Sequence, residues 1–215
     1  MNQTTGQKEQ KMHYNELADL LFPHITKTPD DYEALYPIRP LPAEAKVTRL
    51  GPSPTGFIHL GNLYGAFAGE RLAHQSNGIF YLRIEDTDEK REVEGAVDTI
   101  LSSLAYFQIS FDEGVGQNGD SGSYGPYFQS QRGEIYQCFA RKLVEKGLAY
   151  PCFCDEKALQ TARSRQENAG ANPGYYGQWA NCRHLHLEEI REMLSKGRPF
   201  VLRLRAGDKA GKYFT

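Results

Sequence analysis

The stretch Arg49–Asn62 reads RLGPSPTGFIHLGN, and the reading of the whole chain turns on it. Ahead of it, KVTRL alternates as a short β-strand does; behind it, NLYGAFAGERLAHQ carries Leu63, Phe67 and Leu72 at helical spacing. Between strand and helix, Pro52 and Pro54 stiffen the backbone where Gly56 and Gly61 free it. A loop that feeds a helix N-terminus is a ready seat for phosphate, because unpaired N–H groups and the positive end of the helix dipole meet there. Gly56 and Gly61 let backbone approach a ligand closely. His59 could donate an N–H to a phosphate oxygen, a bond that strengthens as charge builds in a transition state. The string H-x-G is nevertheless short, and a lone histidine is usually structural, so spacing alone leaves both readings open.

Outward from the loop, Asn77-Gly78 closes the helix and IFYLRIED follows as a second strand, rich in β-branched and aromatic residues. DTDEKREVEGAVDTILSSLAYF predicts the next helix, with Asp86 or Thr87 as N-cap and acids in the first turn. Strand, helix, strand, helix at this spacing predicts an α/β fold with a Rossmann-like parallel sheet, whose ligands gather at the carboxyl ends of the strands. Arg49 and Glu85 both fall near such ends. For Glu85 the plain alternative is an exposed strand-end carboxylate or a helix cap.

DEGVGQNGDSGSYGPY shows no helical or strand period and lacks both the spacing and the lysine of a phosphate loop, so it reads as a flexible connector. QSQRGEIYQCFARKLVEKG is again helical and is closed by Gly147, with Cys138 on the apolar side as a buried thiol. PFVLRLRA is a final strand, after which AGKYFT brings no closing element and suggests a fragment. At the other end, Leu17, Leu20, Leu21 and Ile25 predict a short amphipathic helix; the prolines of TKTPDDYEALYPIRPLP then prevent a long one. The expected organisation is an N-terminal arm over 1–44 without chemistry of its own, the first half of a nucleotide-binding domain over 45–128, and a further segment over 129–215.

Composition narrows the function classes. The 215 residues are 40% hydrophobic and 24% charged, ordinary for a soluble globular protein, and have room for a real core. No apolar run approaches the roughly 20 residues that span a bilayer. MNQTTGQKEQK lacks the apolar core of a secretory signal, so a cytoplasmic location and no membrane partner are expected. A net charge of −2 excludes a protein that coats nucleic acid through a global field; any such contact must be local.

The four cysteines are unevenly spaced and do not form a disulfide framework. Cys152-Phe153-Cys154 and Cys182-Arg183-His184 instead make a C-x-C…C-x-H set, each pair a two-pronged clamp for one metal. Zinc takes four S or N ligands in a tetrahedron, with Zn–S about 2.3 Å and Zn–N about 2.1 Å. The intervening polar segment is too small to bury a core of its own, and a metal would close it. The alternative is reduced core cysteines beside a surface histidine.

RLGPSPTGFIHLGN followed by YLRIEDTD resembles the N-terminal catalytic core of bacterial glutamyl-tRNA synthetases, whose pattern runs R-F-A-P-S-P-T-G-x-x-H-x-G and then L-R-I-E-D-T-D. The likeness continues through FDEG, GPYFQSQR and LAYPCFC and covers most of residues 46–205. Leu50-Gly51 replaces the usual Phe-Ala, Asn62 stands at the last place of the class I "HIGH" signature, and the arm before residue 45 is longer than most members carry. The resemblance implies the first half of a class I catalytic core with an inserted zinc-containing subdomain that holds the tRNA acceptor stem. It also implies ATP-dependent activation of glutamate to glutamyl-adenylate and transfer to the 3′ end of tRNA(Glu).

Carried over residue by residue, the resemblance implies that Thr55, His59, Gly61 and Asn62 hold ATP, with Mg²⁺ sharing the phosphate charge. Arg49 and Ser53 would contact glutamate and Glu85 its α-ammonium, while Asp86 and Asp88 would be structural. Cys152, Cys154, Cys182 and His184 would be structural zinc ligands, with Tyr176 and His186 as alternates, because a related group uses a tyrosine. Arg163, Arg165, Arg183, Arg203 and Arg205 are candidates for acceptor-stem phosphates, although each alone is a common surface charge. A monomer is expected. The isolated chain is expected to be inactive, because the lysine-rich "KMSKS" loop of the family is not in it. A glutamyl-queuosine tRNA synthetase is the runner-up, disfavoured by C-x-C…C-x-H, and a non-catalytic tRNA-binding module is the alternative of another class. A glutaminyl enzyme fits less well, since its loop reads P-E-P-N-G.

Overall fold

Three short parallel strands frame the Arg49–Asn62 loop. β1 (Val47–Leu50) pairs with β2 (Ile79–Leu82), which pairs with β3 (Glu113–Gly114), in the order β1-β2-β3. The computed structural model describes residues 13–88 and 90–205; the readings of MNQTTGQKEQK and AGKYFT fall outside them. Residues 30–136 form one compact unit, and those up to 29 together with those from 137 onward form another. Each is described by itself.

In the 30–136 unit, parallel neighbours require crossover connections, supplied by α3 (Leu60–Gln75) and α4 (Ala96–Tyr106). Phe80, Leu82 and Ile84 are fully buried with Ala66, Ala73, Ile100, Leu104 and Tyr127. α3 turns a different face to the sheet from the one its large residues suggest: Ala66, Glu70 and Ala73 are buried, whereas Phe67 and Leu72 are about half exposed. Close approach explains this. The Thr48 hydroxyl donates to the Gly69 carbonyl at 2.8 Å, and a Cβ on Gly69 would stand 3.0 Å from the Phe80 ring, so small residues must face β1 and β2.

α4 begins at Ala96, about ten residues after the expected N-cap. The Asp86 carboxylate is taken by Ser130, whose N–H and hydroxyl donate to it at 2.8 and 2.6 Å, and the Val93 N–H donates to the Pro54 carbonyl. Gly95, at φ +76°, then supplies the left-handed turn into the helix. The glycine-rich stretch is not a loose connector either. It contains β3, folds back so that Gly114 and Ser121 exchange both backbone bonds, and buries Val115 and Tyr127. Before β1, α2 (Pro29–Leu35) is one short helix, as its flanking prolines require.

In the other unit, a helix over 13–21, α1, buries Leu17, Ala18 and Leu21 against Val144, Ala149 and Tyr150, as the amphipathic pattern predicts. α5 (Gly133–Glu145) carries the chain across the division and ends before Gly147 at φ +68°. Cys138 is buried, its thiol 3.2 Å from the Lys27 carbonyl. β4 (Ala149–Cys152) and β5 (Val201–Leu204) pair antiparallel, with α6 (Glu156–Asn168) and α7 (Leu187–Ser195) between them in sequence. Among the described residues no helix is long and apolar enough to cross a membrane.

Candidate active site and cysteine cluster

The loop after β1 is held by its prolines. Pro52 and Pro54 are buried, and their carbonyls accept from the Glu85 and Val93 N–H groups at 2.9 Å each, while Ser53 and Thr55, the alternate residues, face solvent. His59 then sits at the N-cap of α3 in extended conformation. A Cβ on Gly61 would stand 3.1 Å from the His59 ring, so glycine there leaves room for the imidazole over the first turn. Asn62 donates its N–H to the His59 carbonyl at 2.9 Å. A cavity of about 250 Å³, mostly polar, is lined by Pro52, Ser53, Thr55, Gly56, His59 and Asn62. Three of the four residues expected to hold ATP, Thr55, His59 and Asn62, thus line one cavity, and Gly61 lies in the first turn of α3 between the last two.

Arg49 and Glu85 meet at the carboxyl edge of the sheet. Arg49 Nη1 lies 3.2 Å from Glu85 Oε1, and Arg83 Nη2 lies 3.4 Å from the same oxygen. Both partners of the first pair keep about a third of their side-chain surface in solvent, 38% and 30%, so the pair is worth little as a staple and is open to exchange. Gly51 is a contributor the sequence did not single out: a Cβ there would stand 2.6 Å from Glu85 Oε1. Asp88 pairs with Arg91 at 2.6 Å, consistent with a structural role.

The other unit gathers three of the four expected metal ligands. The sulfurs of Cys152, Cys154 and Cys182 lie within 4.8 Å of one another, with Cys154 Sγ 3.6 Å from Cys182 Sγ. His184 does not join them. The Tyr175 hydroxyl stands beside them instead, 3.2 Å from both Cys152 Sγ and Cys154 Sγ. Tyr176, named from sequence as an alternate, turns its hydroxyl to the Asn172 carbonyl, and His186 caps α7. In the pair Tyr175-Tyr176 nothing local marks which ring faces inward, so spacing could not choose between them.

Arg203 completes this cluster. Its guanidinium lies 4.1 Å from the Tyr175 ring centroid. Burial pushes the Cys152 thiol up, but hydrogen bonds from Tyr175, Arg203 and Cys154 outweigh burial and bring it down to about 7. Burial pushes the Cys154 thiol up to about 11, helped by Cys182 and Cys152. The Tyr175 phenol is raised by burial and by its bonds to the thiols. Three soft sulfur donors within 4.8 Å of one another, with an arginine at hand to balance thiolate charge, are a donor set that fits zinc. Of the basic residues considered for phosphate contact, Arg163 pairs with Glu167, and Arg205 donates to the Gly147 and Arg183 carbonyls. Arg165 lines a cavity of about 340 Å³ with Lys157 and Trp179.

A parallel α/β unit with a polar cavity at the N-terminus of its first crossover helix, and an arginine–carboxylate pair beside it, is the layout of an α/β catalytic core. Residues 46–214 match the family described as tRNA synthetases class I (E and Q), catalytic domain, and the chain belongs to that family. It is 61% identical over 196 residues to a glutamate–tRNA ligase of Acetivibrio thermocellus and 49% identical over 196 residues to one of Clostridium perfringens, each match covering 91% of this chain and 36% of the relative. The crystal structure of a glutamate–tRNA synthetase from Elizabethkingia anophelis is similar at a TM-score of 0.65 and 32% identity, over 75% of this chain and 33% of that one. The chain therefore spans about a third of the length of the curated relatives it matches.

Proposed function

We propose that this chain is the part of a glutamate–tRNA ligase that seats ATP and one side of glutamate. The observation that carries the reading is the Arg49–Glu85 pair beside the His59 seat. An exposed arginine and carboxylate 3.2 Å apart present to a zwitterionic amino acid the two charges it needs, a fork for a carboxylate and an oxygen for the ammonium. Glutamate would replace the internal pair with two substrate pairs, and Ser53, on the solvent side of the same loop, adds a hydroxyl.

Glutamate activation needs no protein nucleophile. The substrate carboxylate attacks the α-phosphorus of ATP, and pyrophosphate leaves, so the protein contributes position and charge stabilisation. His59, with the N–H groups of the first turn of α3, would take the phosphates, Thr55 would line their approach, and Gly61 keeps the imidazole free to follow them. Mg²⁺ would supply the remaining positive charge at those phosphates. Cys152, Cys154, Cys182 and Tyr175 would hold a structural zinc, leaving no open position for catalysis. The surrounding unit, with Arg165, Lys157 and Trp179 at one cavity, would receive the tRNA acceptor stem.

A tyrosine beside the cysteines is a feature expected of the tRNA-modifying runner-up. The identities of 46–61% to relatives named glutamate–tRNA ligase favour the ligase. The test is a chimera in which this chain replaces the matching segment of the Acetivibrio thermocellus ligase. Glutamate-dependent exchange of pyrophosphate into ATP should survive the replacement, and Glu85→Ala should abolish it. A folded chimera without exchange, or exchange that Glu85→Ala leaves intact, would refute the reading.

A further inference from the structure

We propose that Arg39, which lies ahead of the family match at 46–214, is a positioning residue for Glu85, acting through Glu113 and Tyr127. The significance of Glu85 rests on the reading above; the relay itself does not.

The relay begins in the arm that showed no chemistry of its own in sequence. The Arg39 guanidinium forms a two-pronged pair with the Glu113 carboxylate, Nη2 donating to Oε2 at 2.7 Å and Nη1 to Oε1. Both side chains are nearly buried, at 16% and 12% of their surface exposed, so solvent screens the pair little. Glu113 Oε2 also accepts from the Tyr127 hydroxyl at 2.8 Å. Tyr127 is fully buried and fixed at three points: its hydroxyl by Glu113, its N–H by Asp120 at 3.0 Å, and its carbonyl by the Ile84 N–H at 2.9 Å. The Ile84 carbonyl in turn accepts from the Gln129 N–H at 2.8 Å. Residue 84 is therefore held on both sides by the segment that Tyr127 anchors, and Glu85 is its neighbour.

Three further contacts brace the arm on the same loop. The Tyr36 hydroxyl donates to the Gly125 carbonyl at 2.6 Å, the Tyr124 hydroxyl donates to the Pro37 carbonyl at 2.8 Å, and Arg39 lies 3.6 Å over the Tyr124 ring. On that side the strand end that carries Glu85 is flanked by the two-residue β3 and, beyond it, by the single Ile84–Phe128 bridge. An extra clasp there limits how far the carboxylate can wander. Without Arg39, Glu113 would remain a nearly buried carboxylate without its countercharge and would turn toward water, releasing the Tyr127 hydroxyl.

Amide hydrogen exchange on the 215-residue chain tests this. Arg39→Met should accelerate exchange at Ile84, Glu85 and Gln129 by about tenfold or more, while the Gly78 amide at the end of α3 keeps its rate. Arg39→Lys, which keeps the charge and loses the fork, should recover part of the protection. Glu113→Gln in the Arg39→Met background should add little, since the two act as one unit. Equal acceleration at Gly78 would show only a loss of global stability and would overturn the proposal. Unchanged rates at Ile84 and Glu85 would overturn it as well. Neither outcome bears on whether the parent enzyme activates glutamate, which the chimera decides separately.

Discussion

Residues 51 and 85 show how closely sequence and site can be related and still leave a detail open. Arg49, Ser53 and Glu85 were legible because each stands in a motif with a role. Gly51 was visible only as a departure from the family's alanine. The structure supplies a reason: the Glu85 carboxylate occupies the space where a Cβ would be, at 2.6 Å. The obstacle is the far end of a flexible side chain, and Gly51 does not carry a φ that L-residues avoid. Gly51→Ala should therefore be accommodated by turning Glu85 away from Arg49. The exposed pair contributes little, whereas the lost freedom of the unfolded chain contributes about 0.4–1 kcal/mol in favour of the variant. Urea unfolding should show a slightly raised midpoint; a fall of more than about 1 kcal/mol would mean that the pair is a structural element after all. At the cysteine cluster the same limit appears in another form. C-x-C and C-x-H spacing fixes which residues are close in sequence, but not which ring the 27 residues between Cys154 and Cys182 fold inward, and Tyr175 stands against the sulfurs where His184 was expected.

At the scale of elements, β1, α3, β2 and α5 were legible in kind and place because periodicity and helix-ending residues agree there, although the large residues of α3 marked the wrong face. The stretch from Asp112 to Tyr127 was not. Glycine is the least informative letter for periodicity, and three uses of it look alike in sequence. Gly114, at φ +130°, brings β3 so close to β2 that a Cβ would lie 2.3 Å from the Leu82 carbonyl oxygen. Gly122, at φ +104°, leaves room for the Tyr127 hydroxyl and Glu113. Gly119, at φ +106°, has open space around it. Gly119→Ala should cost only the backbone term, about 1 kcal/mol. Gly114→Ala adds a collision with backbone that cannot move without separating the strands, and should cost about 3 kcal/mol or more. Denaturation midpoints of the two variants, measured side by side, decide it. Equal losses would show that strain alone accounts for both glycines and that the sheet is looser than this packing. The late start of α4 has a similar origin, since the Asp86 side chain that looked like a cap is engaged by Ser130, far along the sequence.

On the scale of the whole molecule, the two units differ in what holds them. The 30–136 unit has a sheet with crossover helices and a continuous apolar core, and its stability follows from burial. The other unit packs α1, β4 and α7 around Tyr150 and Ile190, but the stretch 153–186 adds few large apolar side chains and closes on three cysteines and Tyr175. A metal there would do the work of a missing core, and its loss should be felt in that unit first. Trp179 makes this measurable, because it is the only tryptophan of the chain and lies between Cys154 and Cys182 in sequence. Purified protein should contain one zinc per chain by elemental analysis. Stripping it with a chelator should lower the thermal midpoint read by Trp179 fluorescence by about 10 °C or more, as should Cys182→Ala. Exchange at the Gly78 amide, at the end of α3, and at the Leu82 amide, in the core of the 30–136 unit, should not change. His184→Ala should leave zinc content intact and Tyr175→Phe should weaken it, the reverse of what C-x-H spacing implies. Zinc lost with His184 and kept with Tyr175→Phe would return the histidine to the ligand set. It would mean that the short Tyr175 contacts to Cys152 and Cys154 belong to the metal-free cluster alone.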